Sequence, residues 1–277
     1  MTGVSRPAPS AAAAARRRTW PMRRRRYGIA LDMGSARTRA WLTGRGVVVD
    51  VPTVTFPGAG AVHPIQRGAI IDTPGCARML RRVLGDHLPR SIRPLVIVTA
   101  PVLDGVAYRS QARAAVEALH PHTVLTLPAA RGIALAAGAD LSGPLMVVDV
   151  GAHLTEAVLL CDGAVTDARR TALGTADLDD AVRAEELAEA VARMLTAMLR
   201  QDGTGLTVEA LRRGILLAGG GALRPELTYH LTARLHAPLR VLPAPHTAAV
   251  RGAAKLLPAA LAHPSASGNL PPAALRP

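Results

Sequence analysis

The sequence predicts an α/β fold made of two duplicated halves that face each other across a cleft. Three observations predict it. The segment Ile29–Val51 recurs without a gap as Met146–Ala168. Apolar runs of strand length alternate with stretches of helical periodicity in each half. Glycines stand where strands end, at Asp32-Met33-Gly34, Asp149-Val150-Gly151 and Gly219-Gly220-Gly221. The repeat pairs Asp32 with Asp149, Gly34 with Gly151, Thr38 with Thr155 and Asp50 with Asp167. A single long-period copy of this kind is a duplicated half-domain, not a short-period solenoid.

The elements follow in order. Gly28–Leu31 and Leu145–Val148 are apolar runs that read as buried strands. Each meets an Asp-x-Gly turn and returns as a hairpin partner, Ala40–Thr43 in the first half and Ala157–Cys161 in the second. Turns at Gly44–Gly46 and Asp162–Gly163 lead to a third strand. Arg78–Leu88 places Met79, Leu80, Val83, Leu84 and Leu88 on one helical face, and Glu185–Arg200 does the same with Leu187, Val191, Met194, Leu195 and Met198. Leu95–Thr99, Thr123–Leu127, Gly214–Ala218 and Leu239–Leu242 complete the set of strands.

Composition sets the outer bounds. The chain has 277 residues, 49% of them hydrophobic but only 2% aromatic, so its core must be built from Ala, Leu and Val. With 19% charged residues it is not a wholly disordered chain. No apolar run approaches the ~18–20 residues that span a bilayer. Cys76 and Cys161 are too few for a disulfide scaffold or a zinc module, and the histidines form no metal-ligand spacing. Ala11–Ala15 is too short and too weakly apolar for a secretory leader, so a reducing cytoplasm is the expected compartment.

Charge divides the chain. Net charge is +13, yet residues 1–26 carry eight arginines and no acid. That segment reads as a disordered Arg-rich tail, and residues 258–277, rich in Pro and Ala, read as a second tail. The body divides into a first lobe, 27–138, and a second lobe, 139–257. The arginines at 16–26, with Trp20 and Met22 among them, suit an anionic membrane surface. The same cluster could bind nucleic-acid phosphates, the less favoured target, or could simply be a solvated tail.

The glycine turns suggest the chemistry. An Asp-x-Gly turn can aim backbone N–H groups into the cleft and cradle phosphate oxygens. The Asp at the strand end can hold a Mg²⁺-bound water, since magnesium takes oxygen ligands and keeps its waters. This makes Asp32, Gly34, Ser35, Ala36, Asp149 and Gly151 candidates for a nucleotide's phosphates. Asp32 and Asp149 are the candidates for a water-mediated metal contact. Gly219, Gly220 and Gly221 offer bare backbone to a base or ribose.

In this order the motifs resemble the actin-like ATPase superfamily, most closely the bacterial rod-shape proteins of the MreB/Mbl family. Gly28–Ala36 resembles its first phosphate hairpin, and Val148-Asp149-Val150-Gly151 the start of the second. His63–Asp72 resembles its "RPMKDGVIAD" segment, Leu217–Leu223 its adenosine motif and Pro245–Gly252 its closing helix. The resemblance covers about Tyr27 to Leu257. It implies duplicated actin-like (ribonuclease H-like) lobes, ATP and Mg²⁺ as ligands, and partners among full-length MreB-family or other morphogenesis proteins. It also implies self-association, and a cytoplasmic place, peripheral at the inner face of the membrane.

Four departures qualify it. The family's second hairpin runs Asp-Ile-Gly-Gly-Gly-Thr-Thr-Glu, and here Ala152, His153 and Leu154 replace two glycines and a threonine. The family's water-orienting Glu before the connecting-helix Pro is Leu127, before Pro128. Too few residues lie between Val51 and His63 for the first small subdomain, and too few between Asp177 and Gly219 for the second. The resemblance thus leads to a reduced, divergent cytoskeletal protein of cell-shape or envelope morphogenesis. ATP binding is expected to be weak or lost and hydrolysis lost. An active ATPase or sugar-kinase-like enzyme, a nucleotide-free interaction scaffold, and a tail-mediated nucleic-acid binder are the alternatives.

Overall fold

The computed structural model describes residues 27–264, apart from 57, 59, 89–92, 104 and 179–181. The expectations for the tails 1–26 and 265–277 lie outside the described residues.

Two five-stranded sheets share one topology. In the first, β1 (Gly28–Met33), β2 (Arg37–Leu42) and β3 (Gly46–Pro52) form an antiparallel meander, and β6 (Leu95–Ala100) and β7 (Thr123–Pro128) add in parallel beyond β1. In the second, β8 (Leu145–Val150), β9 (Thr155–Cys161) and β10 (Ala164–Thr171) repeat the meander. There β11 (Ile215–Ala218) and β12 (Leu239–Val241) add in parallel beyond β8. The central strands are continuous apolar runs because both of their faces are covered; all six residues of β6 are buried. A small hairpin of β4 (Ile65–Gln66) and β5 (Ala69–Ile70) is a separate two-stranded sheet that buries Ile65 and Ile70 in the core of the first sheet.

Outer helices close one face of each sheet. On the first, Leu80 and Leu84 of α1 (Thr73–Leu84) and Ala112 and Val116 of α2 (Gly105–Val116) pack on Ile29, Leu31 and Val96. On the second, Leu187, Val191 and Leu195 of α4 (Ala184–Gln201) and Leu227 and Leu231 of α6 (Pro225–Leu235) pack on Met146, Val148 and Leu217. α5 (Leu206–Arg213) joins α4 to β11. The pattern of Arg78–Leu88 marked the buried face of α1 but not its ends. The helix starts at Thr73, because the Asp72 carboxylate accepts the Gly75 N–H at 2.8 Å and caps it, an arrangement that stabilises a helix by about 1 kcal/mol.

The inner faces exchange helices. α3 (Ala129–Ala137) follows the first sheet in sequence, yet Ile133 and Ala134 pack on Val147 and Leu160 of the second. α7 (Ala248–Ala262) follows the second sheet, yet Val250, Ala253 and Leu257 pack on Ala30 and Ile97 of the first. A division of the chain at 138/139 therefore does not divide the packing. The two helices cross at Gly132 and Gly252, where backbones touch: a Cβ on Gly252 would stand 1.6 Å from the Gly132 carbonyl oxygen.

One expectation is corrected here. The C-terminal tail does not begin at Pro258, because α7 runs through that proline to Ala262. An interior proline costs a helix roughly 3 kcal/mol. Leu257 and Leu261, 2% and 7% exposed against the first sheet, offset it.

The places of the small subdomains hold little. From β3 to β4 the described residues form a loop, held by a bridge between Thr55 and Val62 and by the Thr53 N–H donating to the Ala36 carbonyl at 2.9 Å. Between β10 and β11 the described residues form only a short 3₁₀ turn (Thr175–Asp177), α4 and α5.

Candidate functional site

The duplication places two matching turns on opposite walls of one cleft. In the first, the Gly34 N–H donates to the Arg37 carbonyl at 3.0 Å; in the second, the Gly151 N–H donates to the Leu154 carbonyl at 2.9 Å. The second turn thus keeps its shape although side chains replace two glycines. One of its substitutions, Leu154, is used in packing. The Leu154 side chain leans on Gly68, where φ is +81° and an added Cβ would stand 2.8 Å from Leu154 Cδ2. The carbonyls of Gly151 and Ala152 accept the N–H groups of Thr175 and Ala176 at 3.0 and 2.8 Å.

Between the turns lies a cavity of about 280 Å³. Asp32, Gly34, Ser35 and Ala36 line one wall, and Asp149, Gly151, Gly219 and Gly220 the other. Eight of the nine residues proposed from sequence are therefore brought together. Gly221 is the exception. It is buried, and an added Cβ would strike Val150 Cγ1 at 2.3 Å, so it lets the chain pack on β8. Gly219 packs in the same way, 2.2 Å from the Val150 carbonyl by the same measure. Gly220 differs: no atom lies within 4 Å of its Cβ position, so it faces open space. His153 is absent from the lining residues, while its neighbours Ala152 and Leu154 are present.

Strand register explains the electrostatics. Asp32 lies opposite Arg39 across β1–β2, and Asp149 lies opposite Glu156 across β8–β9. Arg39 and Glu156 are themselves equivalent positions of the repeat, so one half carries an acid–base pair and the other two acids. Asp32 accepts the Thr99 hydroxyl at 2.6 Å and has Arg39 Nη1 at 4.0 Å. Burial still raises its pKa, with Thr99 and then Arg39 pulling against it. At Asp149 burial first, and then the charges of Asp32 and Glu156, push the pKa up to about 7, and the opposing pull of Arg39 is the smallest influence.

Glu156 spans the lobes. Its carboxylate accepts the Val102 N–H at 3.1 and 3.2 Å and the Leu103 N–H at 3.2 Å, from the loop after β6. Burial raises its pKa and these backbone donors oppose the rise. A second tie crosses from the β4–β5 turn, where Arg67 pairs with Asp177 at 3.0 Å and donates to the Ala172 carbonyl. Asp177 also accepts the Gly174 N–H at 2.9 Å.

Arg39 and Glu156 are the site residues that motif reading missed. The signal was present, since both are the repeat-related cross-strand partners of the two motif aspartates. Leu127 stands beside Thr99 across β6–β7, 6% exposed, and packs with Ala30, Ile97 and Val250 rather than lining the cavity.

The turn amides and the bare face of Gly220 fit phosphate oxygens. The volume sits just below the roughly 300–1,000 Å³ usual for ligand pockets, so it suits a polyphosphate better than a whole nucleotide. A divalent cation fits less well. Asp32 is already engaged by Thr99 and faced by a guanidinium. Among the described residues no three His, Cys, Asp or Glu side chains stand close enough together to hold a metal.

No protein-family model matches the chain, and no curated protein matches it in sequence. Solved structures do. MreB5 of Spiroplasma citri bound to ADP superposes with a TM-score of 0.71 at 15% identity, over 85% of this chain and 97% of that one. A MamK double helical filament gives 0.69 at 15%, over 89% and 100%. The ethanolamine utilization protein EutJ from Carboxydothermus hydrogenoformans gives 0.62 at 16%, over 82% and 89%. This chain has the actin-like fold. The likeness is one of fold, and the actin-like architecture accounts for the duplicated sheets, the exchanged inner helices and the facing turns. No helix among the described residues is long and apolar enough to cross a membrane.

Proposed function

We propose that this chain is a reduced MreB/Mbl-type actin-like protein that grips a nucleotide's phosphates weakly and does not hydrolyse them. The observation that carries the proposal is the pair of matching turns on one cavity, without an acid at the end of β7 to orient water. Hydrolysis of this kind depends on a positioned water. Leu127 is an alkyl group buried in the core, and the Glu156 carboxylate is already bonded to Val102 and Leu103. Binding is weak because the cavity holds little beyond the phosphates, and the adenosine side has lost its small subdomain.

In this reading the protein serves cell-shape or envelope morphogenesis by association: with itself, or with full-length MreB-family or other morphogenesis proteins. MreB5 in complex with AMPPNP has the same fold, with a TM-score of 0.72, and MamK forms a double helical filament. These support nucleotide binding and self-association as properties to seek here. The arginines of residues 16–26 would add an anionic membrane surface, each contributing about 1 kcal/mol near the headgroups.

A phosphate-release assay on the full chain with ATP tests the catalytic half of the proposal. The expected result is release no faster than in buffer. Sustained turnover lost in Asp32→Ala would replace this reading with that of an active ATPase.

A further inference from the structure

Arg39 stands in the cleft with hydrogen-bonding capacity that its carboxylate neighbours do not use. Arg37 already neutralises Asp50, with Nε 2.5 Å from Oδ1 and Nη2 donating to the Asp50 carbonyl at 2.7 Å. Arg39 adds a second positive charge beside the same carboxylate, Nε to Oδ2 at 3.3 Å. Its side chain is only 13% exposed and lines the cavity with Asp32, Gly34 and Ser35. That Nε is buried, and its contact with Asp50 is an ion pair without well-directed hydrogen-bond geometry. Its Nη1 comes within 4.0 Å of Asp32, an ion-pair contact too long for a hydrogen bond. A guanidinium carries five N–H donors, and buried donors left unused are costly. This one sits beside a turn whose shape suits phosphate, with Nε and Nη1 held only in ion-pair contacts that leave its donors underused.

We infer that Arg39 is the chain's own counter-ion for a bound polyphosphate, so that nucleotide binding by this cleft needs no divalent cation. The inference rests on the nucleotide reading above and says how the phosphates are neutralised. Magnesium demands near-octahedral oxygen coordination, commonly from one or two carboxylates plus phosphate and water. Asp32 and Asp149 are the motif carboxylates on the cavity, and Asp32 is already engaged: its Oδ1 accepts the Thr99 hydroxyl at 2.6 Å while its Oδ2 faces Arg39. A cation drawn to Asp32 would sit against a fixed positive charge. A phosphate in the same space gains from that charge, and the planar guanidinium fork can bond two phosphate oxygens at once.

The test is calorimetric titration of ATP into the full chain, once with Mg²⁺ and once with EDTA. The wild-type Kd is expected to agree between the two within about threefold. Arg39→Gln is expected to weaken binding in EDTA by at least about tenfold, with Mg²⁺ restoring part of the loss, and Arg39→Lys, which keeps the charge but not the fork, to lose less than Arg39→Gln. Wild-type binding that appears only with Mg²⁺ overturns the inference and leaves the nucleotide reading standing. Binding in neither condition overturns both. The wild-type comparison decides the matter even if a variant folds poorly.

Discussion

Gly252→Val is expected to destabilise the protein by more than about 3 kcal/mol, beyond the ordinary cost of overpacking a core. The reason is local and geometric. A first side-chain carbon on Gly252 would stand 1.6 Å from the Gly132 carbonyl oxygen and 2.8 Å from the Gly132 Cα. Neither is the end of a flexible side chain, so relief requires α3 and α7 to separate. These helices carry the inner cores of opposite sheets, with Ile133 on the second and Val250 on the first. Separation therefore loosens both lobes at once. For a chain of this size such a loss lowers Tm by roughly 6–12 °C. Gly85→Ala is the control: its backbone is helical and nothing lies within 4 Å of its Cβ position. Thermal unfolding should leave that variant within about 1 kcal/mol of the wild type.

The second large effect is electrostatic and has an unusual sign. Asp149→Asn should stabilise the protein at neutral pH by about 1–3 kcal/mol, since each unit of pKa shift is worth about 1.4 kcal/mol. Asp149 titrates at about 7 in the folded state, against 3.8 as its model value. Between those values the folded state holds the proton more tightly than the unfolded state. Stability therefore falls as pH rises from about 4 to about 7. The raised pKa values of Asp32 and Glu156 act in the same direction. Denaturant unfolding at pH 5 and pH 8 should show the wild type more stable at pH 5, and a smaller difference in Asp149→Asn. Equal slopes in the two proteins would mean that Asp149 ionises without strain.

The fold was readable in the sequence because duplication leaves two copies of every signal. Asp32 and Asp149, Gly34 and Gly151, and Thr38 and Thr155 mark the same turn twice, and the strands follow from them. The helix exchange was not readable. Gly132 and Gly252 are far apart in sequence, and their contact depends on how α3 and α7 cross. The substituted second hairpin also misled locally. Ala152, His153 and Leu154 look like a degraded turn until Gly68 is seen beneath Leu154 and Thr175 beside Gly151. Pro258 read as the end of order, yet Leu257 and Leu261 bury enough surface to keep it helical. Arg39 and Glu156 were hidden for another reason. Motif comparison follows the chain, whereas their importance lies across a strand pair, opposite the motif aspartates.

Gly220 offers the most direct test of the claim that this cleft recognises phosphates. Its Cβ position is open and its backbone needs no left-handed angle, so Gly220→Phe sets a bulky side chain on the cavity wall with its first carbon unopposed. ATP should be titrated calorimetrically into the wild type and into this variant, after equal unfolding midpoints have been verified. The account predicts weak, saturable binding to the wild type and none to Gly220→Phe. No saturable binding to the wild type up to millimolar ATP, about −4 kcal/mol in affinity, would contradict it. So would binding that Gly220→Phe leaves unchanged.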